Sequence, residues 1–181
     1  MANAKGTVVA GLVKLIQARP DRAKKLLHEK LHKYLDMRIV LAAWYPLDEY
    51  LALLRVAPKL RKNPPRDFFE QMGRASAREQ MSGIYRRLRE NTSRQAAATL
   101  LSAMYDTGQK NMVERSPGHA VLEWVNFAIP ARELCENFTG YQAERMTLQG
   151  LEEVRVRHTK CRAEGGTVCR WELDWKGRSK S

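Results

Sequence analysis

Three cysteines and one histidine stand in the last third of the chain. Cys135 is followed after twenty-two residues by His158, after two more by Cys161 and after seven more by Cys169. Thiolate sulfur and imidazole nitrogen are zinc ligands, and a set of three cysteines and one histidine fills all four tetrahedral positions. No position is then left for a substrate, so the spacing predicts a structural zinc and not a catalytic one. The plainer reading is that buried cysteines act as small apolar groups. Three of them beside a spaced histidine, all within 35 residues, favour the metal.

A second metal pattern lies upstream, where His28, Glu29 and His32 spell H-E-x-x-H. In zinc peptidases such a helix puts two histidines on one face, and the glutamate polarises the metal-bound water. Here Lys24, Lys25, Lys30 and Lys33 surround the histidines and oppose a further cation. Arg38 stands six residues after His32, where a third ligand would be sought. A solvated helix face is therefore preferred, with a metallopeptidase as the lesser alternative. Arg86, Arg87 and Arg89 offer cations to phosphates, yet no stacking platform or DNA-reading motif accompanies them. No Gly-rich phosphate loop, paired-carboxylate site or Ser/His/Asp arrangement is discernible, so no enzymatic activity is expected. Trp124, Phe127, Phe138, Tyr141, Trp171 and Trp175 are candidates for lining an apolar ligand pocket, although an aromatic set at these periods is more often plain core.

The cysteines need elements to bring them together. Pro130 ends a strand and opens a helix over 131–148 that carries Cys135, and Gly150 breaks it. Residues 151–160 alternate as a strand, with Val154, Val156 and His158 on one face and Arg155 and Arg157 on the other. Gly165 and Gly166 make a turn into a second alternating strand over 168–175, which puts Cys169, Trp171, Leu173 and Trp175 on one face. A hairpin thus joins Cys161 to Cys169, with His158 one step back, and Cys135 reaches them if its helix lies across the sheet.

Upstream, residues 111–115 and 119–129 read as two strands around the turn at Ser116, Pro117 and Gly118. Everything earlier reads as helical: 6–18, then 20–35 behind Pro20, then 47–57 with Tyr50, Leu51 and Leu54 buried. Trp44, Tyr45 and Pro46 mark a turn. Asp67 caps a helix that carries Phe68, Phe69 and Met72 towards Arg89, and its Gly73, Ala75, Ser76 and Ala77 admit a close neighbour. A last helix, with Ala97, Leu100, Leu101 and Met104, stops at Thr107 and Gly108. The expected fold class is α+β, N-terminal helices followed by an antiparallel sheet with a helix packed on it. The expected organisation is a helical part, 1–65, as a candidate dimerisation region, an α+β core, 66–176, and a frayed tail, 177–181.

The 32 basic and 20 acidic residues leave a formal charge of +12, enough to attract polyanions. Acidic residues are interspersed among most of the basic ones, so a solvated basic surface is preferred to a dedicated nucleic-acid site. Gly11 and Lys14 break the first apolar stretch, which predicts neither a signal peptide nor a membrane span, and the expected location is cytoplasmic. In that setting three cysteines point to reduced thiols or metal ligation.

Residues 127–175, with Cys135, His158, Cys161, Gly165, Gly166, Cys169, Arg170 and Trp171, resemble the 4-vinyl-reductase-like domain. That domain also occurs as the small-molecule sensor of phenol-responsive transcription activators, where cysteines at these spacings and one acidic residue hold a structural zinc. The resemblance implies Zn2+ at Cys135, Cys161 and Cys169, with His158 at the position of the acidic ligand. The chain length, the opening helices and the segment at Trp44, Tyr45 and Pro46 resemble an uncharacterised paralogous family of myxobacterial proteins in the same superfamily. The related fold, shared with haem nitric-oxide sensors and subunits of vesicle-tethering complexes, implies an α+β sandwich around an apolar pocket, dimeric through N-terminal helices. A haem is not favoured, because His119 sits beside the turn at Pro117 and Gly118. The expected function is a non-enzymatic small-molecule-sensing or protein-interaction module: a homodimer with a structural zinc, an apolar ligand and an unknown protein partner. A nucleic-acid-binding or regulatory protein acting through its basic surface is the alternative.

Overall fold

The computed structural model describes residues 2–82 and 104–178. These form two units, residues 2–68 with 104–106 and residues 69–82 with 107–178. Among the described residues no helix is long and apolar enough to cross a membrane.

In the first unit, strand β1 (Asn3–Lys5) pairs antiparallel with β2 (Trp44–Pro46). The expected turn at Trp44, Tyr45 and Pro46 is thus a strand, completed by the N-terminal segment it pairs with. Helix α1 (Gly6–Gln17) buries Val9, Leu12, Val13 and Ile16, a spacing that makes one apolar stripe. The single helix expected over 20–35 is in fact two. Helix α2 (Pro20–Leu26) ends where Leu27 turns extended, at φ −87° and ψ 142°, and a 3-10 helix occupies Glu29–Leu35. Between them His28 Nδ1 accepts from the Lys30 backbone N–H at 3.3 Å, capping the second piece. After β2, helix α3 (Leu47–Val56) buries Leu47, Tyr50, Leu51, Leu53 and Leu54 and tightens into a 3-10 turn at Ala57–Leu60.

The second unit holds helix α4 (Phe68–Ser82) from its second residue onwards. The expected extension of α4 towards Arg89 and most of the helix expected after it lie outside the described residues. The sheet is antiparallel throughout, made of β3 (Gln109–Ser116), β4 (His119–Val125), β5 (Leu151–Lys160) and β6 (Cys169–Arg178) in the order β3-β4-β6-β5. Helix α5 (Arg132–Leu148) connects β4 to β5 and packs on the sheet, Phe138 lying edge-on to Trp171 at 4.8 Å. Two strand ends differ from expectation. Strand β4 stops at Val125 because Asn126 turns to φ 53°, so Phe127 lies in a loop. Strand β6 runs to Arg178, which pairs with Leu151, so residues 177 and 178 are sheet and not tail.

Helix α4 meets α5 at two glycines. A Cβ on Gly73 would lie 2.8 Å from Tyr141 N, and one on Gly140 would lie 2.6 Å from the Glu70 carbonyl carbon. The small residues of α4 therefore serve a helix crossing. Alongside, Arg78 Nε donates to Glu144 Oε1 at 2.7 Å, with Arg74 3.6 Å from the same carboxylate. The Arg78 hydrogen bond holds the Glu144 carboxyl below its ordinary range. Because the folded state depresses this pKa, the stabilisation is complete above the unfolded value of about 4.3 and is lost as pH falls through the folded one. Glu144→Gln should accordingly shrink the loss of urea midpoint between about pH 7 and about pH 3. An unchanged loss would mean that the cluster contributes nothing to acid sensitivity.

Candidate metal centre

Cys135 lies in the first turn of α5, His158 near the end of β5, Cys161 just beyond that end, and Cys169 at the first position of β6. One ligand atom from each lies within 4.8 Å of all the others. The Cys135 and Cys169 sulfurs are 3.6 Å apart, and all three cysteines are buried and free. A disulfide would need about 2.05 Å, whereas a tetrahedral metal with bonds of about 2.3 Å sets its sulfurs about 3.8 Å apart. The cluster therefore has the dimensions of a metal-binding set, and it could hold an ion.

Local sequence explains the convergence. The Glu164 and Gly166 backbone N–H groups both donate to the Cys161 carbonyl, at 3.2 and 2.8 Å, curling the loop back on itself. Gly165 takes φ +89°, which favours glycine, and a Cβ on Gly166 would fall 2.7 Å from that carbonyl oxygen. The curl aims the Arg162 backbone N–H at Cys169 Sγ, 3.4 Å away. Arg132 in the first turn of α5 pairs with Glu164 at 2.8 Å and ties the helix start to the loop.

The electrostatics favour one thiolate in advance. Cys169 is pulled well below its ordinary range, chiefly by the hydrogen bond from Cys135 and further by His158 and the Arg162 N–H. Cys135 is pushed up, first by serving as that donor and then by burial, and burial also raises Cys161. His158 stacks on Trp171 at 4.7 Å and 20°, and its Nε2 is buried with no hydrogen-bond partner. A buried imidazole nitrogen without a partner, beside three thiols, is a donor that a metal ion could use.

Trp171 also reaches the other side of the cluster. Its Nε1 donates to Thr139 Oγ1 at 2.9 Å, and Thr139 donates to the Cys135 carbonyl at 2.9 Å. One fully buried tryptophan thus fixes both the His158 ring and the backbone of Cys135. The sequence reading missed Thr139, although it stands one helical turn after Cys135, the spacing at which a threonine hydroxyl reaches back to a carbonyl.

The aromatic candidates divide. Trp124 contacts Phe127 at 4.1 Å, Phe138 at 5.5 Å and Trp171 at 6.5 Å, and these four buried rings fill one another's space. Tyr141 stands apart and donates to Gln80 Oε1 at 3.0 Å, while Trp175 is half-buried at the far end of β6. Lys110, also missed, lies over the Trp124 and Phe138 rings at 4.7 and 5.2 Å. Burial, with a smaller effect from Arg145, brings its ammonium down to about 8.

The structure does not assemble the H-E-x-x-H residues. His28 is exposed at the head of the 3-10 helix, and His32 Nε2 meets the Lys24 and Leu27 carbonyls at 3.1 and 3.3 Å. The break at Leu27 removes the α-helical face that would set two imidazoles side by side.

Neither a known protein family nor a curated protein matches the sequence. Solved structures do match. An H-NOX protein from S. oneidensis in the Fe(II) ligation state is 13% identical with a TM-score of 0.68, covering 97% of this chain and 98% of that one. The fold is H-NOX-like. An oxygen-binding H-NOX domain related to soluble guanylate cyclases is 14% identical at a TM-score of 0.59, over 98% and 97% of the two chains. An unliganded Fe(II) H-NOX protein from K. algicida is 9% identical at 0.62, over 98% and 99%. Identities this low establish the fold alone. The residues do not fit a histidine-ligated haem. Of the four histidines, His28 is exposed, His32 bonds backbone carbonyls, His119 Nδ1 pairs with Asp174 at 2.7 Å, and His158 belongs to the thiol cluster.

Proposed function

We propose that this chain is a non-enzymatic sensing or interaction module of the 4-vinyl-reductase-like kind, stapled by a structural Zn2+ at Cys135, His158, Cys161 and Cys169. The observation that carries the reading is the closed donor set: three thiols and an imidazole within 4.8 Å, the imidazole Nε2 otherwise unpartnered. Bound there, zinc supplies a fourfold link between α5 and the β5–β6 hairpin and keeps no open position for chemistry. The sensing half of the reading rests on the H-NOX-like fold, whose solved members include an Fe(II)NO state and an oxygen complex. In this chain the sensed molecule is small and apolar, and its site lies against the aromatic layer and not between Trp124, Phe127, Phe138 and Trp171, which already fill one another's space. The module is a homodimer through its first 65 residues and signals to a protein partner.

Native mass spectrometry of protein purified without added metal tests this in one spectrum. The expected result is one zinc per chain, no haem, and a dimer mass. A folded protein carrying iron porphyrin, or a folded protein free of metal, would overturn the zinc-stapled reading.

A further inference from the structure

The basic stretches around residues 19–33 and 55–66 have no part in the metal centre, yet members of both line one cleft of about 470 Å3 in the first unit. Arg22 and Lys25 line it from α2, and Lys59 and Arg61 from the segment that follows α3. Leu26, Pro58 and Pro64 supply the rest of its lining, and Leu26 is 39% exposed. Among the described residues none of the four cations has an acidic partner, and Arg61 stacks instead on the Phe68 ring at 5.4 Å. Elsewhere Lys33, Arg78, Arg132, Arg157 and Arg170 each hold a carboxylate within 3 Å. Four unneutralised like charges around one concavity repel each other, and an anion entering it relieves that repulsion.

The apolar part of the lining decides which anion. Proline offers no backbone N–H, so Pro58 and Pro64 cannot cradle a phosphate as a row of amides does. None of the residues lining the cleft is aromatic, so no nucleobase finds a stacking surface. A lining of three apolar residues and four cations complements a peptide with one apolar side chain between carboxylates. A second copy of this chain would bring the same four cations to it, so the proposed homodimer contact falls on other parts of the first 65 residues. We infer that the cleft docks an acidic segment of a different protein, with an apolar residue of that segment seated on Leu26, Pro58 and Pro64.

Fluorescence anisotropy on the full chain tests this with three labelled probes: a short Glu/Asp peptide with a central Leu-Phe pair, an all-acidic peptide of equal charge, and a short single-stranded DNA. The Leu-Phe peptide should bind at least about fivefold tighter than either of the others. Arg22→Glu with Lys59→Glu should weaken it at least about tenfold, and Leu26→Asn should erase its advantage over the all-acidic peptide. Lys25→Ser with Lys59→Ser is a milder variant that serves if the charge reversal lowers the melting temperature. Equal binding of the two peptides, tighter binding of DNA, or affinity unmoved by both double variants would each refute the inference.

Discussion

Cys169→Ser should release the zinc and lower the melting temperature in the same preparation. Cys169 opens β6, accepts from the Arg162 N–H and is the thiol most ready to ionise, so in the proposed zinc site it is the ligand around which the others would arrange. A structural zinc contributes roughly 10–16 kcal/mol to the folding of small finger peptides. Here a preformed core already supports the domain, so only part of that is at stake. A loss of about 4 kcal/mol would lower the melting temperature by about 8–16 °C in a chain of this size. Chelation of the wild type should reproduce the shift, and Cys161→Ser should match Cys169→Ser. Thr139→Val is the useful contrast, because it removes the hydroxyl that joins Trp171 to Cys135 but no ligand. It should cost about 1–3 kcal/mol while zinc stays bound. Metal analysis beside a thermal melt reads both quantities, and a metal-free Cys169→Ser protein that melts like the wild type would sink the zinc argument.

What could be read in the sequence follows from how far each signal reaches along the chain. The alternation around His158 and Trp171, the paired glycines between Cys161 and Cys169 and the proline before α5 are local, and they determine the hairpin and helix that carry the cluster. The β1–β2 pair has no such signal. Each strand is three residues long, too short for a period, and its partner lies some forty residues away. The break at Leu27 is hidden for a different reason. The lysines around it suit a helix, and what ends the helix is an extended Leu27 and the bonding of His32 to carbonyls of the preceding turn. The aromatic residues were legible as a buried set. Periodicity could not tell that Trp124, Phe127, Phe138 and Trp171 interlock while Tyr141 turns to Gln80 on α4, because that depends on which helix crosses the sheet and where.

The helix crossing yields the second large effect: Gly140→Ala should destabilise the protein by about 2–4 kcal/mol. At an ordinary position inside a helix the same change stabilises, since alanine is favoured over glycine by about 1 kcal/mol. The sign reverses here because the new Cβ would stand 2.6 Å from the Glu70 carbonyl carbon and 2.7 Å from its Cα. Those atoms are backbone and cannot swing aside, so α4 and α5 must separate. Gly73→Ala should act alike, its Cβ meeting Asn137 and Tyr141 backbone. Once the helices have separated for one methyl group the second costs less, so the double variant should lose less than the sum of the two. Cys135 rides on the same helix five residues before Gly140, and a shift of α5 moves it relative to His158 and Cys169. Weaker zinc retention in Gly140→Ala should therefore accompany the lower urea midpoint. A neutral or stabilising Gly140→Ala would show that the two helices do not pack backbone to backbone, and would remove the support that holds Cys135 over the sheet.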